Sequence, residues 1–298
     1  MRLTHTTRLL FYSHDSYGLG HLRRTLTIAK ECMQQFEGAT ALVLTGSPVA
    51  TSFDLPPGLD LVKLPSVSKD AAGQYVASGL ELPFASVLAI RSEIILAALR
   101  SYRPQLMLVD HKPIGLCGEL LPALEEASRL NVKTVLGLRD IIDEPESVAK
   151  DWANPEIKRA LVEFYDRICV YGDPSVFDTR AEYPIPSGID QRLQFVGYVA
   201  GARQTLGFRA LPDNQPHVLV TVGGGQDGAD RIGAYLDGLE ADPGDWKSTI
   251  VMGPLIDKAK GKSVRMRADR LGNVRVHRFC NDLQRRMEEA DVLVSMAG

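Results

Sequence analysis

The chain has 298 residues, of which 45% are hydrophobic and 24% charged, and its formal net charge is −3. This length suits about two domains of ~100–200 residues each, and the composition is ordinary for a folded globular protein. The small net charge gives no electrostatic reason to expect nucleic acid as a partner. The apolar run at 9–12 is too short for a secretory signal, so we expect a cytoplasmic protein.

The cysteines are far apart and form no CxxC pair, which favours reduced thiols and argues against a zinc site. They are Cys32, Cys117, Cys169 and Cys280.

Short apolar runs alternate with helical patterns over the first 200 residues. Continuous apolar runs are typical of strands in a parallel sheet that helices cover on both faces. The predicted strands are 8–13, 41–44, 61–64, 105–110, 133–138, 167–171 and 194–199. The predicted helices are 21–36, 82–102, 115–130 and 155–165. This alternation predicts an α/β fold built from right-handed βαβ units.

The same pattern starts again after residue 200. The segment 201–216 is polar, contains glycine and two prolines, and is typical of an interdomain linker. Further strands are predicted at 217–222, 248–252, 274–277 and 292–295, with helices near 230–239 and at 283–290. We therefore expect one domain at 1–200, a linker at 201–216 and a second domain at 217–298.

The chain ends on a strand that we expect to be buried, 292–295, followed by a glycine turn where a helix should start. A natural terminus usually lies at the surface of a complete core. Three or four strands are also few for a doubly wound sheet. We expect a fragment in which the second domain is truncated at its C-terminal end.

A glycine turn, SHDSYGLGHLRR at 13–24, joins the first strand to the first helix. Gly18 and Gly20 permit a tight turn and a close approach of a ligand to the backbone. Ligands of open α/β sheets bind at the carboxyl ends of strands, beside the free N–H groups of helix starts. His21 lies at this helix start and could accept a proton near neutral pH. A purely structural cap is the equally weighted alternative.

Further polar side chains follow the same strand and a later one. His14 and Asp15 lie on the first glycine turn, and Asp110-His111 ends the strand at 105–110. His14 and Asp15 could line a pocket, although a hydrogen bond within the turn is the favoured interpretation. Asp110 and His111 could contact a second substrate, with a hydrogen bond at the strand end as the alternative. The spacing of His14, His21 and His111 does not require a metal, and we predict none.

A second glycine turn, TVGGGQDGA at 221–229, follows a strand and precedes a helix. It differs from GxGxxG and lacks the lysine of a P-loop. Bare amides of Gly223, Gly224 and Gly225 at a helix start can hold a diphosphate without a metal. A tight structural turn is the alternative.

Two segments, 262–270 and 275–286, are rich in arginine and lysine. A solvated face is the default interpretation, and peripheral contact with the inner face of a membrane is the alternative. The most apolar stretch, 87–99, is shorter than the ~20 residues that a spanning helix needs.

Four segments together resemble the GT-B glycosyltransferases of the MurG-like class, glycosyltransferase family 28, and especially a predicted bacterial group. GLGHLRR at 18–24 resembles the amino-terminal glycine–histidine turn, and FVGYV at 195–199 the close of the first domain. VTVGGGQDGA at 220–229 resembles the loop that opens the donor domain. HRFCNDLQRRMEEADVLVSMAG at 277–298 resembles the stretch that holds the nucleotide base. The four segments occur in the family's order.

The resemblance implies two Rossmann-like domains with mostly parallel sheets, His21 as general base, and His14, Asp110 and His111 on the acceptor side. The donor-binding residues that it implies are Gly18, Gly20, Gly223, Gly224, Gly225, Phe279, Cys280, Ser295 and Gly298. The chain departs from the family by the additional Asp227 in the glycine loop. It also ends before the glutamate that holds the donor ribose in the family.

We therefore predict a metal-independent, cofactor-free transferase of hexosyl or N-acetylhexosaminyl groups. It would move the sugar from a nucleotide-sugar, with a UDP-sugar favoured, to an acceptor hydroxyl, and direct displacement would invert the anomeric centre. A nucleotide-sugar 2-epimerase on the same fold and an inactive nucleotide-binding fragment are the alternatives.

Overall fold

The computed structural model describes residues 7–14, 19–70, 74–201, 215–226 and 228–296. The chain divides into two compact units, one formed mainly by residues up to Ala200 and the other mainly by Gly201 onward. Each unit contains a parallel sheet and helices, so the predicted α/β fold with parallel sheets is confirmed.

The first unit is built on a seven-stranded parallel sheet and carries a separate antiparallel hairpin. Its strands are β1 (Arg8–Ser13), β2 (Thr40–Thr45), β3 (Leu59–Lys63), β4 (Val67–Lys69), β5 (Tyr75–Ala77), β6 (Leu106–Asp110), β7 (Lys133–Arg139), β8 (Arg167–Tyr171) and β9 (Leu193–Phe195). Its helices are α1 (Gly20–Gln35), α2 (Phe84–Tyr102), α3 (Leu121–Arg129), α4 (Pro145–Trp152), α5 (Pro155–Glu163) and α6 (Thr179–Glu182).

The strand order in this sheet is β3-β2-β1-β6-β7-β8-β9, and β4 pairs with β5 in the hairpin. The chain therefore runs outward in one direction from β1 and in the opposite direction from β6. β1 is buried over its last five residues, as its unbroken apolar run predicts. The point between β1 and β6 is the topological switch point, and open α/β sheets bind their ligands at the carboxyl side of such a point.

The sequence-based prediction of one continuous helix at 115–130 is wrong. Gly115, Cys117 and Gly118 adopt φ of 69°, 46° and 88°, values that a right-handed helix does not accommodate. A short 3₁₀ turn covers Leu116–Gly118, and α3 begins only at Leu121. The β4–β5 hairpin and the helices α4 and α6 were also not predicted.

The second unit has a four-stranded parallel sheet. Its strands are β10 (His217–Thr221), β11 (Lys247–Val251), β12 (Val274–His277) and β13 (Val292–Ser295), and its helices are α7 (Ala229–Ala241), α8 (Lys258–Leu271) and α9 (Leu283–Glu289). The order is β12-β11-β10-β13. The helix α8 was not predicted, because it buries only the three small or short residues Gly261, Val264 and Ala268. Asp257 caps it by accepting hydrogen bonds from the N–H groups of Ala259 and Lys260.

The strand β13 is not buried, which contradicts the prediction for 292–295. Val292, Leu293 and Val294 are 50%, 44% and 36% exposed. The reason is its position, because β13 is the outermost strand of this sheet within the described residues and pairs there with β10.

Residues 202–214 of the predicted linker lie outside the described part of the chain. Of the helices in the described ranges, none is both long and apolar enough to cross a membrane.

Candidate functional site

Three of the predicted side chains lie together at the carboxyl end of the sheet in the first unit. His14 directly follows β1, His21 is the second residue of α1, and Asp110 ends β6. β1 and β6 are parallel neighbours, with Tyr12 opposite Val109, so their carboxyl ends are adjacent. The site therefore lies at the switch point of the fold.

His21 and Asp110 are joined by a short hydrogen bond. The imidazole Nδ1 lies 2.5 Å from Oδ2 of Asp110, whose side chain is only 1% exposed, whereas that of His21 is 21% exposed. A carboxylate only accepts hydrogen bonds, so this contact favours the tautomer in which Nδ1 carries the proton and Nε2 is free to accept one.

Arg24 also binds Asp110, although sequence reasoning did not identify it. Its Nε donates to Oδ1 of the carboxylate at 2.9 Å and its Nη2 donates to Oδ2 at 3.0 Å. The same Nη2 lies 3.0 Å from Nδ1 of His21. His21 and Arg24 are three residues apart on α1 and therefore share one helix face. A buried carboxylate needs such a charged partner, because an unpaired charge in the interior is costly.

The guanidinium of Arg24 is supported by an aromatic ring. Its central carbon lies 5.1 Å from the centre of the Tyr171 ring, at the end of β8. Tyr171 reaches this place because Gly137 of β7 has no side chain, since a Cβ there would lie 1.8 Å from the Tyr171 hydroxyl oxygen. Burial raises the pKa of Tyr171, and the charge of Asp110 adds to that rise. The hydroxyl therefore stays protonated.

His111 lies beside His21 in an unusual backbone conformation. Its φ is 69°, and the two ring centroids are 5.0 Å apart. The side-chain Nδ1 is buried and makes no hydrogen bond. Burial, with the added effect of His21, Lys112, His14 and Arg139, lowers the pKa of His111 from 6.5 to about 2. The ring is therefore neutral at physiological pH.

The three histidine rings approach one another without forming a metal site. His14 lies 6.0 Å from His21 and 6.2 Å from His111, measured between ring centroids. Across the described ranges, no three histidine, cysteine, aspartate or glutamate side chains are placed to hold a metal ion.

The second glycine turn lies between β10 and α7. Gly223 and Gly225 adopt φ of 61° and 94°, and the N–H of Gly225 donates to the carbonyl of Val222 at 3.2 Å. Gly223 is exposed and Gly224 is half-buried. The positive φ values explain why glycine occupies both positions, because other residues rarely adopt this conformation.

Gly253, which sequence reasoning missed, packs against this turn. A Cβ at Gly253 would lie 2.4 Å from the carbonyl carbon of Gly224. Its φ is 86°, and the N–H of Leu255 donates to the carbonyl of Gly224 at 2.9 Å. A second loop, which follows β11, thus holds the glycine turn through its backbone.

The other predicted donor residues occupy varied positions. Gly20 is exposed at the start of α1, with open space beside its Cα. Phe279 is half-buried after β12, whereas the Cys280 side chain packs among Leu219 and Val251. Ser295 is the exposed last residue of β13, where it pairs with Thr221 of β10.

Some predicted site residues lie outside the described residues; these are Gly18 and Gly298, together with Asp15 and Asp227 of the two turns.

Several cations of the segments rich in arginine and lysine form ion pairs with nearby acids. Arg267 contacts Asp237 at 2.6 Å and Glu240 at 2.8 Å, both on α7. Arg286 contacts Asp282, the residue directly before its own helix, at 2.9 Å. Such pairs are typical of a solvated face, the first of the two interpretations above.

Solved structures of known proteins share this fold. MurG from Acinetobacter baumannii is 13% identical with a TM-score of 0.51, and the match covers 98% of this chain and 74% of that one. Arabidopsis thaliana UGT89C1, complexed with UDP-L-rhamnose, is 16% identical with a TM-score of 0.54, covering 99% and 75%. UDP-GlcNAc 2-epimerase from Neisseria meningitidis, bound to UDP-GlcNAc, is 12% identical with a TM-score of 0.54, covering 98% and 78%.

No protein-family model matches the chain, and no curated protein sequence matches it either. Structural likeness at such low identity defines the fold, which is that of the GT-B glycosyltransferases, with Rossmann-like units and parallel sheets.

Proposed function

We propose that this protein is a GT-B glycosyltransferase that moves a sugar from a nucleoside-diphosphate donor to an acceptor hydroxyl. The observation that carries the proposal is the His21–Asp110 pair at the switch point of the first sheet. A histidine held by a buried carboxylate is an arrangement that can remove a proton from a hydroxyl. The bound UDP-sugar of the Arabidopsis structure supports a UDP-sugar as the donor.

In the proposed reaction, Nε2 of His21 accepts the proton of the acceptor hydroxyl while its oxygen attacks the anomeric carbon. The bond from that carbon to the diphosphate oxygen breaks, and the electron pair leaves with the nucleoside diphosphate. Asp110 stabilises the imidazolium that forms, because the Nδ1–H donates to its carboxylate. A single displacement of this kind inverts the anomeric centre.

The proposed leaving-group site is the glycine turn of the second unit. Backbone N–H groups of Gly223 and Gly224 and the amino end of α7 favour negative charge without a metal, whereas the N–H of Gly225 already donates to Val222. Fixed donors that face developing charge contribute ~10²–10³-fold each to the rate. The pyrophosphate would therefore be stabilised by backbone groups alone.

The finer assignments rest on the sequence resemblance. We propose a MurG-like, family 28 enzyme that transfers a hexosyl or N-acetylhexosaminyl group. Gly18 and Gly20 would face the donor diphosphate, Phe279 and Cys280 the base, and Ser295 and Gly298 the last donor loop. His14 and His111 would lie on the acceptor side.

The test compares the protein with His21→Ala. UDP release from UDP-glucose and UDP-GlcNAc is followed with a mixed pool of sugar and phenolic acceptors, and UDP affinity is measured by calorimetry. We expect acceptor-dependent UDP release that falls ~10²–10⁴-fold in the variant. UDP affinity should stay unchanged, because the proposed diphosphate contacts are made by backbone groups and not by the His21 side chain. Equal turnover of the two proteins would show that His21 is not the general base. If the parent does not bind UDP, the proposed donor site is wrong.

A nucleotide-sugar 2-epimerase is the second candidate, because the Neisseria epimerase shares this fold. It would invert C2 of the sugar instead of forming a glycosidic bond. Product analysis by NMR after incubation with UDP-GlcNAc distinguishes the two, since an epimerase yields the 2-epimer without any acceptor.

A further inference from the structure

Arg24 contacts three atoms of the His21–Asp110 pair at once. Its fork contacts both carboxylate oxygens of Asp110, and Nη2 lies 3.0 Å from Nδ1 of His21. Asp110 is completely buried, so its charge is balanced by Arg24 before His21 binds a proton. Arginine does not lose its proton in proteins, so this compensation is permanent.

The Nδ1 atom of His21 therefore has two neighbours that require opposite roles of it. It donates to Oδ2 of Asp110 when it carries the proton, and it accepts from Nη2 of Arg24 when it does not. The carboxylate contact is the shorter, at 2.5 Å against 3.0 Å, and it is charge-assisted. The Nδ1-protonated tautomer, with Nε2 free, is the state that this geometry favours.

The charged and titratable groups around this pair come from several elements. They are Arg24 on α1, Asp110 at the end of β6, His14 after β1, His111 and Lys112 after β6, Arg139 of β7 and Tyr171 of β8. His111 is neutral and Tyr171 remains protonated, so neither supplies a charge that could replace Arg24. Arg24, in contrast, contacts both oxygens of Asp110.

We propose that Arg24 is a positioning residue that neutralises Asp110 and thereby keeps His21 uncharged, with Nε2 available as a base. The inference rests on the proposed function for its catalytic consequence, but the protonation of His21 can be measured without any substrate. Without Arg24, the buried carboxylate would favour the doubly protonated imidazolium, and His21 could not accept a proton from the acceptor. Tyr171 supports this role because the guanidinium lies over its ring, and Gly137 supports it indirectly by leaving space for the Tyr171 hydroxyl.

The direct test is NMR of the full chain with ¹⁵N-labelled histidine, and the His21 signals are identified by comparison with His21→Gln. In the parent protein at pH 7.5 we expect a protonated Nδ1 and an unprotonated Nε2. In Arg24→Met we expect a larger fraction of Nε2 to be protonated at the same pH. An unprotonated Nε2 in Arg24→Met would overturn the inference. Arg129→Met, an exposed arginine of α3, removes the same net charge and should leave the His21 signals unchanged.

The pH dependence of the rate gives a second readout. In Arg24→Met the acid limb of kcat should move to higher pH by about one unit, because an unneutralised carboxylate favours the protonated base. A purely structural role would lower kcat equally at every pH, and that result also contradicts the proposal.

Arg24→Lys keeps the positive charge but lacks the planar guanidinium that binds both carboxylate oxygens. It tests the role of Arg24 if Arg24→Met does not fold. We expect its acid limb to stay in place and its kcat to fall by about tenfold, because a single ammonium does not fix the carboxylate plane. Parent-like kcat in Arg24→Lys would contradict the positioning role. If the NMR result holds but no variant or parent releases UDP, the proposed function fails while the role of Arg24 stands.

Discussion

The two candidate sites of this molecule are built from different materials. In the first unit, the site consists of side chains, with His21, Asp110 and Arg24 joined by hydrogen bonds. In the second unit, the site consists of backbone groups. It depends on Gly225 and Gly253 because a side chain at either position would overlap the neighbouring backbone.

Because of this difference, the two sites should respond to different perturbations. The side-chain site depends on charge balance and on pH, so conservative changes of one polar atom should disable it. The glycines of the backbone site have no titratable side chain. This site should therefore respond to steric changes and be insensitive to pH. Substitutions in the two units therefore separate chemistry from binding.

Asp110→Asn should have the largest effect. An amide NH₂ or oxygen cannot hold His21 in one tautomer, and Arg24 loses its charged partner. We expect kcat to fall ~10²–10⁴-fold and the free energy of unfolding to fall by about 3–5 kcal/mol. Urea unfolding and UDP-release assays measure the two effects.

Asp151→Asn is the matched control for this change. Asp151 pairs with Lys112 at 3.2 Å, but its side chain is 55% exposed. Such surface pairs contribute only ~0–1 kcal/mol, so stability and kcat should remain near those of the parent. Equal losses in Asp110→Asn and Asp151→Asn would show that burial of Asp110 has no consequence.

Gly253→Ala should affect binding without affecting the base. The added methyl group would displace the carbonyl of Gly224, so we expect UDP affinity to fall by about tenfold or more, the effect of losing one hydrogen bond to a charged group. Gly272→Ala is the matched control, because Gly272 has a similar φ of 70° but open space around it. It should lose stability only. Calorimetry with UDP distinguishes the two variants, and equal affinities would disprove the packing argument.

His111→Asn should change the pH dependence of stability. The pKa of His111 is lowered to about 2 in the folded protein, so between that value and 6.5 the unfolded chain binds more protons. The stability that neutral His111 contributes is fully present above pH 6.5, and it is lost as the pH falls below 6.5. From pH 7 to pH 5, the parent should lose about 1–2 kcal/mol that His111→Asn does not lose.

Asparagine is the appropriate replacement because it tolerates the positive φ at this position. Urea unfolding of both proteins at the two pH values measures the effect. Parallel losses in the parent and the variant would mean that burial of His111 does not exclude its protonation.

The sequence predicted regular elements better than the contacts among them. The strands at 8–13, 167–171 and 292–295 have the predicted bounds, because unbroken apolar runs between polar residues define a parallel strand. His21 and Asp110 were both predicted as site residues, but not their hydrogen bond. That bond depends on β1 and β6 being neighbours, and strand order is a property of the whole fold.

Arg24 and Gly253 were missed for different physical reasons. Arg24 stands three residues after His21, and helical spacing alone would have placed both on one face. Gly253 has no such signal, because its importance comes from the backbone of a loop distant in sequence. A site made of side chains can thus be found from spacing, whereas a site made of backbone contacts requires coordinates.

The exposed outer strand β13 has a practical consequence for every measurement above. Its apolar side chains border a row of backbone groups that can recruit a strand from another molecule. Concentrated samples of these 298 residues would therefore self-associate through this edge, and oligomers would distort binding isotherms and broaden NMR signals. A lysine in place of Leu293 would act as a gatekeeper that keeps the chain monomeric.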